Sequence, residues 1–265
     1  RLSDGVPVAR TETSEDGFYS LRARYVEPDQ VVLVISALVE RAQYNITVRP
    51  ADDALPHQRT SAPLSTYQTS TSPAPIDLVV SFPADDPMAG ALNIATVARL
   101  GLELVTPFLD TPLSASFAWA PGLAHDCGSC YSDGRILLAG GQFDPDEFDD
   151  MVILHELGHL IMDAIGWDDS PGGSHDGSRT NPLVAFGEGI ATALALFASR
   201  ESVYIDTASS GARSLEDLEA LPYLAAYGTG NGGLDGVVSE WMTAGLAWDL
   251  FDPQNPLEPF DSFEI

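Results

Sequence analysis

Two imidazoles and a carboxylate stand on one short stretch, His155-Glu156-Leu157-Gly158-His159, at the spacing a hydrolytic metal ion needs. On a helix, residues four apart lie one above the other. Both imidazoles can therefore reach a single cation, while Glu156 is rotated aside toward the place of an attacking water. With five histidines in 265 residues, such a string arises by chance in roughly one chain in a hundred or fewer of this composition. The stretch thus holds two ligands and a general base.

The flanking residues bear on the simpler alternative, that both histidines are ordinary polar groups satisfied inside a buried helix. Asp144-Pro145-Asp146-Glu147 reads as a helix start, with Asp144 as the cap, Pro145 at the first helical position and Glu147 where a capping-box carboxylate reaches back. The helix is then expected from Phe148 to Ile165. Met151, Val152, Leu154, Leu157, Ile161, Met162 and Ile165 make it apolar on nearly every side. Unpaired polar groups in such surroundings cost several kcal/mol, and one zinc ion with its water satisfies all three.

Two residues compete to be the third ligand. Glu188 is a lone glutamate in the otherwise apolar helical stretch Pro182 to Ser199, and it needs a partner there. His175 lies in the glycine-rich loop Asp168-Asp169-Ser170-Pro171-Gly172-Gly173-Ser174-His175. On a loop it suits either ligation, stabilisation of an oxyanion, or mere solvation. A pattern continuing with a glycine and a third histidine is excluded, because Met162 and Ile165 occupy those positions.

The combination of H-E-x-x-H with Glu188 on a later helix resembles the gluzincins, the thermolysin-like zinc peptidases, over residues 135–199. The resemblance implies zinc held by His155, His159 and Glu188, with Glu156 as general base and a peptide or protein as substrate. It also implies an aspartate four residues after the ligand glutamate to orient a zinc histidine, but Thr192 stands there. Asp163, four residues past His159 on the same stripe, is the expected replacement. The run of H-E-x-x-H, then D-S-x-G-G-x-H, then E-G is also similar to a group of uncharacterised bacterial surface proteins. His175, or Tyr227 in the glycine-rich loop from Tyr227 to Gly233, is expected to support the oxyanion. The competing function is a secreted binding or adhesion protein whose zinc site is only a structural staple. An intact Glu156 argues against it, since a staple has no use for a base. A non-peptidase metal hydrolase is a third reading of the same motif.

The elements that must position these residues divide into two regions, and the fold class expected is α+β. Over residues 1–84, β-type runs at Gly17 to Tyr25, Val31 to Val39, Tyr44 to Val48 and Ile76 to Phe82 read as a β-sandwich. Its stretches Gly5-Val6-Pro7-Val8-Ala9 and Glu15 to Leu21 resemble carboxypeptidase-regulatory-like, transthyretin-type modules. Over residues 85–265 a zincin-like domain is expected. It has a helix from Met88 to Leu109, strands at Ala115 to Ala120 and Arg135 to Gly140, the two metal-bearing helices, and a last helix from Asp235 to Phe251. The strand Arg135 to Gly140 is expected either at the rim of the substrate cleft or as an ordinary core strand.

Charge and cysteine usage narrow the setting. The formal net charge is −27, and all 12 basic side chains are arginine. Such a field repels phosphate backbones and anionic membranes, so no nucleic-acid partner is expected. Acidic clusters from Asp144 to Asp150 and at Asp168-Asp169 are candidates for calcium, although no D-x-D-x-D-G loop is present. Cys127 and Cys130 lie between strands rather than at a helix start, which favours a small loop-closing disulfide over a redox site. No membrane span is expected, and the chain opens at Arg1 as an exported protein does once trimmed. A secreted, cell-surface or periplasmic bacterial protein is the setting these features fit. The sequon Asn45-Ile46-Thr47 falls in a strand pattern and is expected to be coincidental.

Overall fold

Buried side chains at Tyr44, Ile46, Thr47 and Val48, with Asn45 and Arg49 partly exposed, mark Tyr44–Arg49 as a largely covered strand, and its partners decide the architecture. The computed structural model describes residues 9–14, 18–20, 32–50, 54–60, 79–166, 168–173, 175, 177, 179–219 and 238–251. Strands β1 (Val34–Ser36), β2 (Leu38–Glu40), β3 (Tyr44–Arg49) and β4 (Gln58–Thr60) come first, then helix α1 (Pro87–Val105). Strands β5 (Leu113–Ala118), β6 (Cys130–Ser132), β7 (Arg135–Leu137), β8 (Gly140–Gly141) and β9 (Asp144–Pro145) lead to helix α2 (Asp150–Ile165). After β10 (Arg179–Thr180) come helix α3 (Pro182–Ser199) and the hairpin β11 (Val203–Ala208) and β12 (Gly211–Asp217). Strand β13 (Val238–Ser239) and helix α4 (Glu240–Phe251) close the described chain.

The principal sheet has the order β2-β3-β5-β7-β6. Its inner strands β3, β5 and β7 run parallel, and both outer strands are antiparallel to their neighbours. A parallel step needs a crossover, and α1 supplies the one between β3 and β5. Ile46, Val48, Phe117 and Ile136 of the sheet share one core with Ile94 and Leu102 of α1 and with Ile153, Leu154, Leu157 and Ile161 of α2. Helix α2 is therefore packed on a sheet and buried at every position from Met151 to Met162.

The α+β class holds, but a separate sandwich before residue 84 does not describe β2 and β3. The register Tyr44↔Leu113 through Arg49↔Ala118 makes them part of the sheet beneath α2. A largely covered strand carries the same pattern whether its partner is next in sequence or many residues away. Strands β1 and β4 form a small antiparallel pair of their own. Residues 1–8, 15–17 and 21–31, on which most of the carboxypeptidase-regulatory resemblance rests, lie outside the described residues. The sequon asparagine lies inside β3, with its Nδ2 bonded to Ser114 Oγ at 2.9 Å.

The start of the histidine-bearing helix also differs from expectation. Asp144 and Pro145 pair with Gly141 and Gly140 as β9 against β8, a 3-10 turn covers Asp146–Phe148, and α2 begins only at Asp150. Glu147 does not cap the helix, because its carboxylate accepts the Trp119 indole N–H at 3.2 Å. Asp149 precedes α2, and its carboxylate binds Thr207 through the backbone N–H at 2.9 Å and the hydroxyl at 2.7 Å. Tertiary partners thus take the side chains that local rules assign to capping. Helix α3 spans Pro182–Ser199 as the spacing predicts, with Asn181 Oδ1 accepting from Leu183 N–H at 2.9 Å.

Strand β7 is interior, paired with β5 on one side and β6 on the other, so β7 is a core strand and not the rim. On this side the sheet ends, among the described residues, at β6. The turn joining them, Asp133-Gly134, has φ of 50° and 76°, which suits a two-residue hairpin of Asp-Gly type. Cys127 and Cys130 are disulfide-bonded and close the loop entering β6. Pro87–Phe108 and Pro182–Ser199 are long and apolar enough to cross a membrane by length and composition, as core helices also can be, and 56% of each window is buried inside the protein.

Candidate metal centre

The centre forms where α2 and α3 approach closely. A Cβ on Gly158 would lie 2.9 Å from both the Cα and the carbonyl oxygen of Ala191, so only glycine allows this separation. Glu188 and Thr192, one helical turn apart and on either side of Ala191, are thereby brought against the histidine face of α2. All of His155, Glu156, His159, Glu188 and Thr192 are buried.

His155 Nε2 and His159 Nε2 are 3.3 Å apart, and Glu188 Oε2 lies 3.1 Å from the first and 3.0 Å from the second. Ligands at tetrahedral angles around zinc, each about 2.05 Å from it, stand roughly 3.3 Å from one another. The triangle has that size. It is one of two groups of carboxylates and imidazoles among the described residues close enough to share a metal ion.

The far side of each imidazole is also held. His155 Nδ1 bonds Thr192 Oγ1 at 3.0 Å, and His159 Nδ1 bonds Asp168 Oδ2 at 3.0 Å. Asp163, expected in this role, is exposed and accepts instead from the Tyr131 hydroxyl of β6 at 2.6 Å. The correction has a geometric cause: the histidine side chains point toward α3, and Asp163 one turn further on faces the sheet edge. Thr192 holds the position that the gluzincin pattern gives to aspartate. The second anchor comes from a loop nine residues past His159.

The donor set fits a cation. Ionised Asp168 can only accept, so His159 carries its proton on Nδ1, and a neutral ring then aims the Nε2 lone pair at Glu188. Two nitrogens and a carboxylate oxygen this close need a positive charge among them. Burial opposes a second proton on His159, but the bonds to Asp168 and Glu188 and the nearby Glu156 charge prevail and push its pKa up to about 10. Burial likewise works to raise the Glu188 carboxyl, yet the bonds to His155 and His159 hold it well below the usual range. Zinc would compete with protons for the same three atoms.

His175 stands at the rim. Its Nε2 is 3.4 Å from Glu188 Oε2, and its Nδ1 is 2.7 Å from Glu240 Oε2, at the first turn of α4. It does not belong to the mutually close triad of His155, His159 and Glu188. The Glu240 bond raises the His175 pKa above its ordinary value, against the effect of burial. No hydrogen bond among the described residues engages the Glu156 carboxylate. Tyr227 lies outside the described residues. Behind the site, the ring of Tyr204 meets His155 edge-on at 6.1 Å and Trp241 at 5.4 Å between centroids.

Sequence reasoning missed Thr192 as a partner, Asp168, Glu240 and strand β6. The Asp133-Gly134 pair between short apolar stretches could have revealed β6. Asp168 and Glu240 carry no local signal, since each becomes meaningful only by folding back on the histidines. Gly189 carries a faint one. A Cβ there would lie 2.4 Å from Thr243 Cβ and 2.7 Å from the Glu240 carbonyl, so it marks where α4 crosses α3.

In comparison with protein-family models and with curated proteins, the chain matches none.

Proposed function

We propose that the protein is a zinc-dependent metallopeptidase of the gluzincin type. The observation that carries this reading is the triangle of His155, His159 and Glu188 with an uncommitted, buried Glu156 beside it. Bound there, zinc would polarise a peptide carbonyl and make water nucleophilic near neutral pH. Glu156 takes the proton of the attacking water on its carboxylate and returns it to the leaving amine. His175, whose pKa Glu240 raises, donates from Nε2 to the carbonyl oxygen as negative charge develops. Buried Tyr204 packs against His155, with Trp241 beyond it.

Substrate capture fits β6. Its outer edge is unpaired among the described strands, and Tyr131 links it to α2 through Asp163. An extended peptide can add to such an edge through backbone hydrogen bonds. The mixed sheet with an antiparallel outer strand beside the metal helix supports a zincin-like domain, and the Cys127–Cys130 disulfide supports an oxidising, extracytoplasmic setting.

Elemental analysis of protein prepared with zinc, joined to hydrolysis of an unfolded polypeptide, tests the reading. About one zinc per chain is expected. Glu156→Gln should keep zinc and fold while losing about 10²–10⁴ in turnover. Glu188→Gln should weaken zinc binding markedly, and His175→Ala should keep the stoichiometry and lower turnover. Zinc-free wild-type protein, or unchanged hydrolysis by Glu156→Gln, overturns the proposal.

A further inference from the structure

We propose that Asp144, Asp146 and Asp206 form a second metal site, built only of oxygen ligands, that takes calcium and is separate from the histidine centre. One carboxylate oxygen of each lies within 4.8 Å of one from each of the others. Proximity of acidic groups alone would mean little on so acidic a protein, but the pairing of their oxygens is specific. Asp146 is only 3% exposed, and its Oδ1 has no hydrogen-bond partner among the described residues. The Oδ1 atoms of Asp144 and Asp206 are buried and unpaired in the same way.

The second oxygens of Asp144 and Asp146 are committed by hydrogen bonds, and that of Asp206 lies at ion-pair distance from the same arginine. Asp146 Oδ2 accepts from the Ser129 hydroxyl, Asp144 Oδ2 is bound by Arg213 at 2.5 Å, and Asp206 Oδ2 lies 4.0 Å from Arg213 Nε. Asp144 and Asp146 are therefore oriented from one side by hydrogen bonds, and all three carboxylates are left with a bare, buried oxygen. A buried acceptor without a donor is rare and costly. Three in one cluster point to a shared cation. Three carboxylates against one arginine leave two negative charges, which a divalent ion balances. Asp149 adds a fourth carboxylate nearby, but Thr207 occupies both its oxygens.

Oxygen-only ligation favours a hard cation over zinc, whose own sites use nitrogen and sulfur more often. Carboxylates from separate segments suit the larger and more flexible calcium shell better than the strict octahedron of magnesium. Burial holds the Asp146 carboxyl up at about 7, and the neighbouring carboxylates add to that. Such repulsion is relieved once a cation sits among them.

The placement gives the ion a structural role. Asp144 and Asp146 lie in the segment that leads into α2, and Asp206 lies on β11 at the register shift before Thr207. A shared ion would tie the hairpin that follows α3 to the start of the helix that carries His155 and His159.

The test uses the full chain, stripped of metal, reloaded with one equivalent of zinc and titrated with calcium chloride. Binding is read by calorimetry and stability by thermal melting. Wild-type protein should gain roughly 5–10 °C in Tm at a hundredfold excess of calcium over Kd. Asp206→Asn should melt no lower than wild type without calcium, because repulsion is relieved, yet lose most of the calcium gain while keeping its zinc. Asp144→Asn, at a more exposed position, provides the same comparison should Asp206→Asn fail to fold. Absence of calcium binding by wild type, or an equal gain in both variants, overturns the site. An equal gain from magnesium or from further zinc overturns the choice of calcium.

Discussion

His159 is held at both ring nitrogens, by Asp168 at Nδ1 and by Glu188 at Nε2, each at 3.0 Å. Its orientation is therefore set before any metal arrives, and the same is true of His155 between Thr192 and Glu188. Outer partners of this kind fix the tautomer and raise ligand basicity, and losing one typically costs about 10–100-fold in metal affinity. Asp168→Asn and Thr192→Val should each weaken zinc binding within that range, measured by competition with a chromogenic chelator. Asp163→Asn is the contrasting variant. It alters only the charge on the acceptor of the Tyr131 hydroxyl at the exposed end of α2, so zinc affinity should stay at the wild-type value. A loss with Asp163→Asn matching that of Asp168→Asn would put the wrong carboxylate behind the histidine.

Helices rather than loops carry the proposed ligands, and the spacing of α2 and α3 is decided at Gly158 against Ala191. Gly158→Ala inserts a methyl group 2.9 Å from backbone atoms, which cannot swing away as a side chain can. Overpacking of this type costs about 1–3 kcal/mol. Because Glu188 and Thr192 ride on α3, the same shift should widen the ligand triangle. Gly158→Ala is expected to lower both Tm and zinc affinity. Gly141→Ala, where an added Cβ meets nothing within 4 Å, should change neither. Lower stability with unchanged zinc affinity would show that the ligands are set independently of helix spacing.

The molecule as a whole carries a formal charge of −27 with no lysine, and this acts at distances no single residue reaches. A field of that sign draws basic polypeptides toward the surface and repels acidic ones, with a range set by the Debye length of about 10 Å at 0.1 M salt. For two unfolded substrates sharing one cleavage sequence, one arginine-rich and one glutamate-rich, kcat/KM should favour the basic one at low ionic strength. The advantage should shrink severalfold in about 0.5 M salt, where screening is nearly complete at a few ångströms. A preference that ignores salt would trace to local contacts in the cleft instead of the global charge.

What the amino-acid sequence determined by itself is the chemistry along single helices. Residues four apart on α2 are neighbours by helical geometry, so His155, Glu156 and His159 could be read as a unit without knowing the fold. Glu188 was visible as one charged residue on the apolar stretch Pro182–Ser199, whose cap and length local rules also supply. Pairings across the chain had no such local signal. Strand β3 joined β5 and not a sandwich, Asp144 entered a strand and not a cap, and the orienting roles fell to Thr192 and Asp168 and not to Asp163. Glu240 reached His175 across 65 positions. In each case several side chains of the right type were present, and packing chose among them, because a hydrogen bond or a strand pair depends on separation in space, which residue type and spacing constrain only within one element.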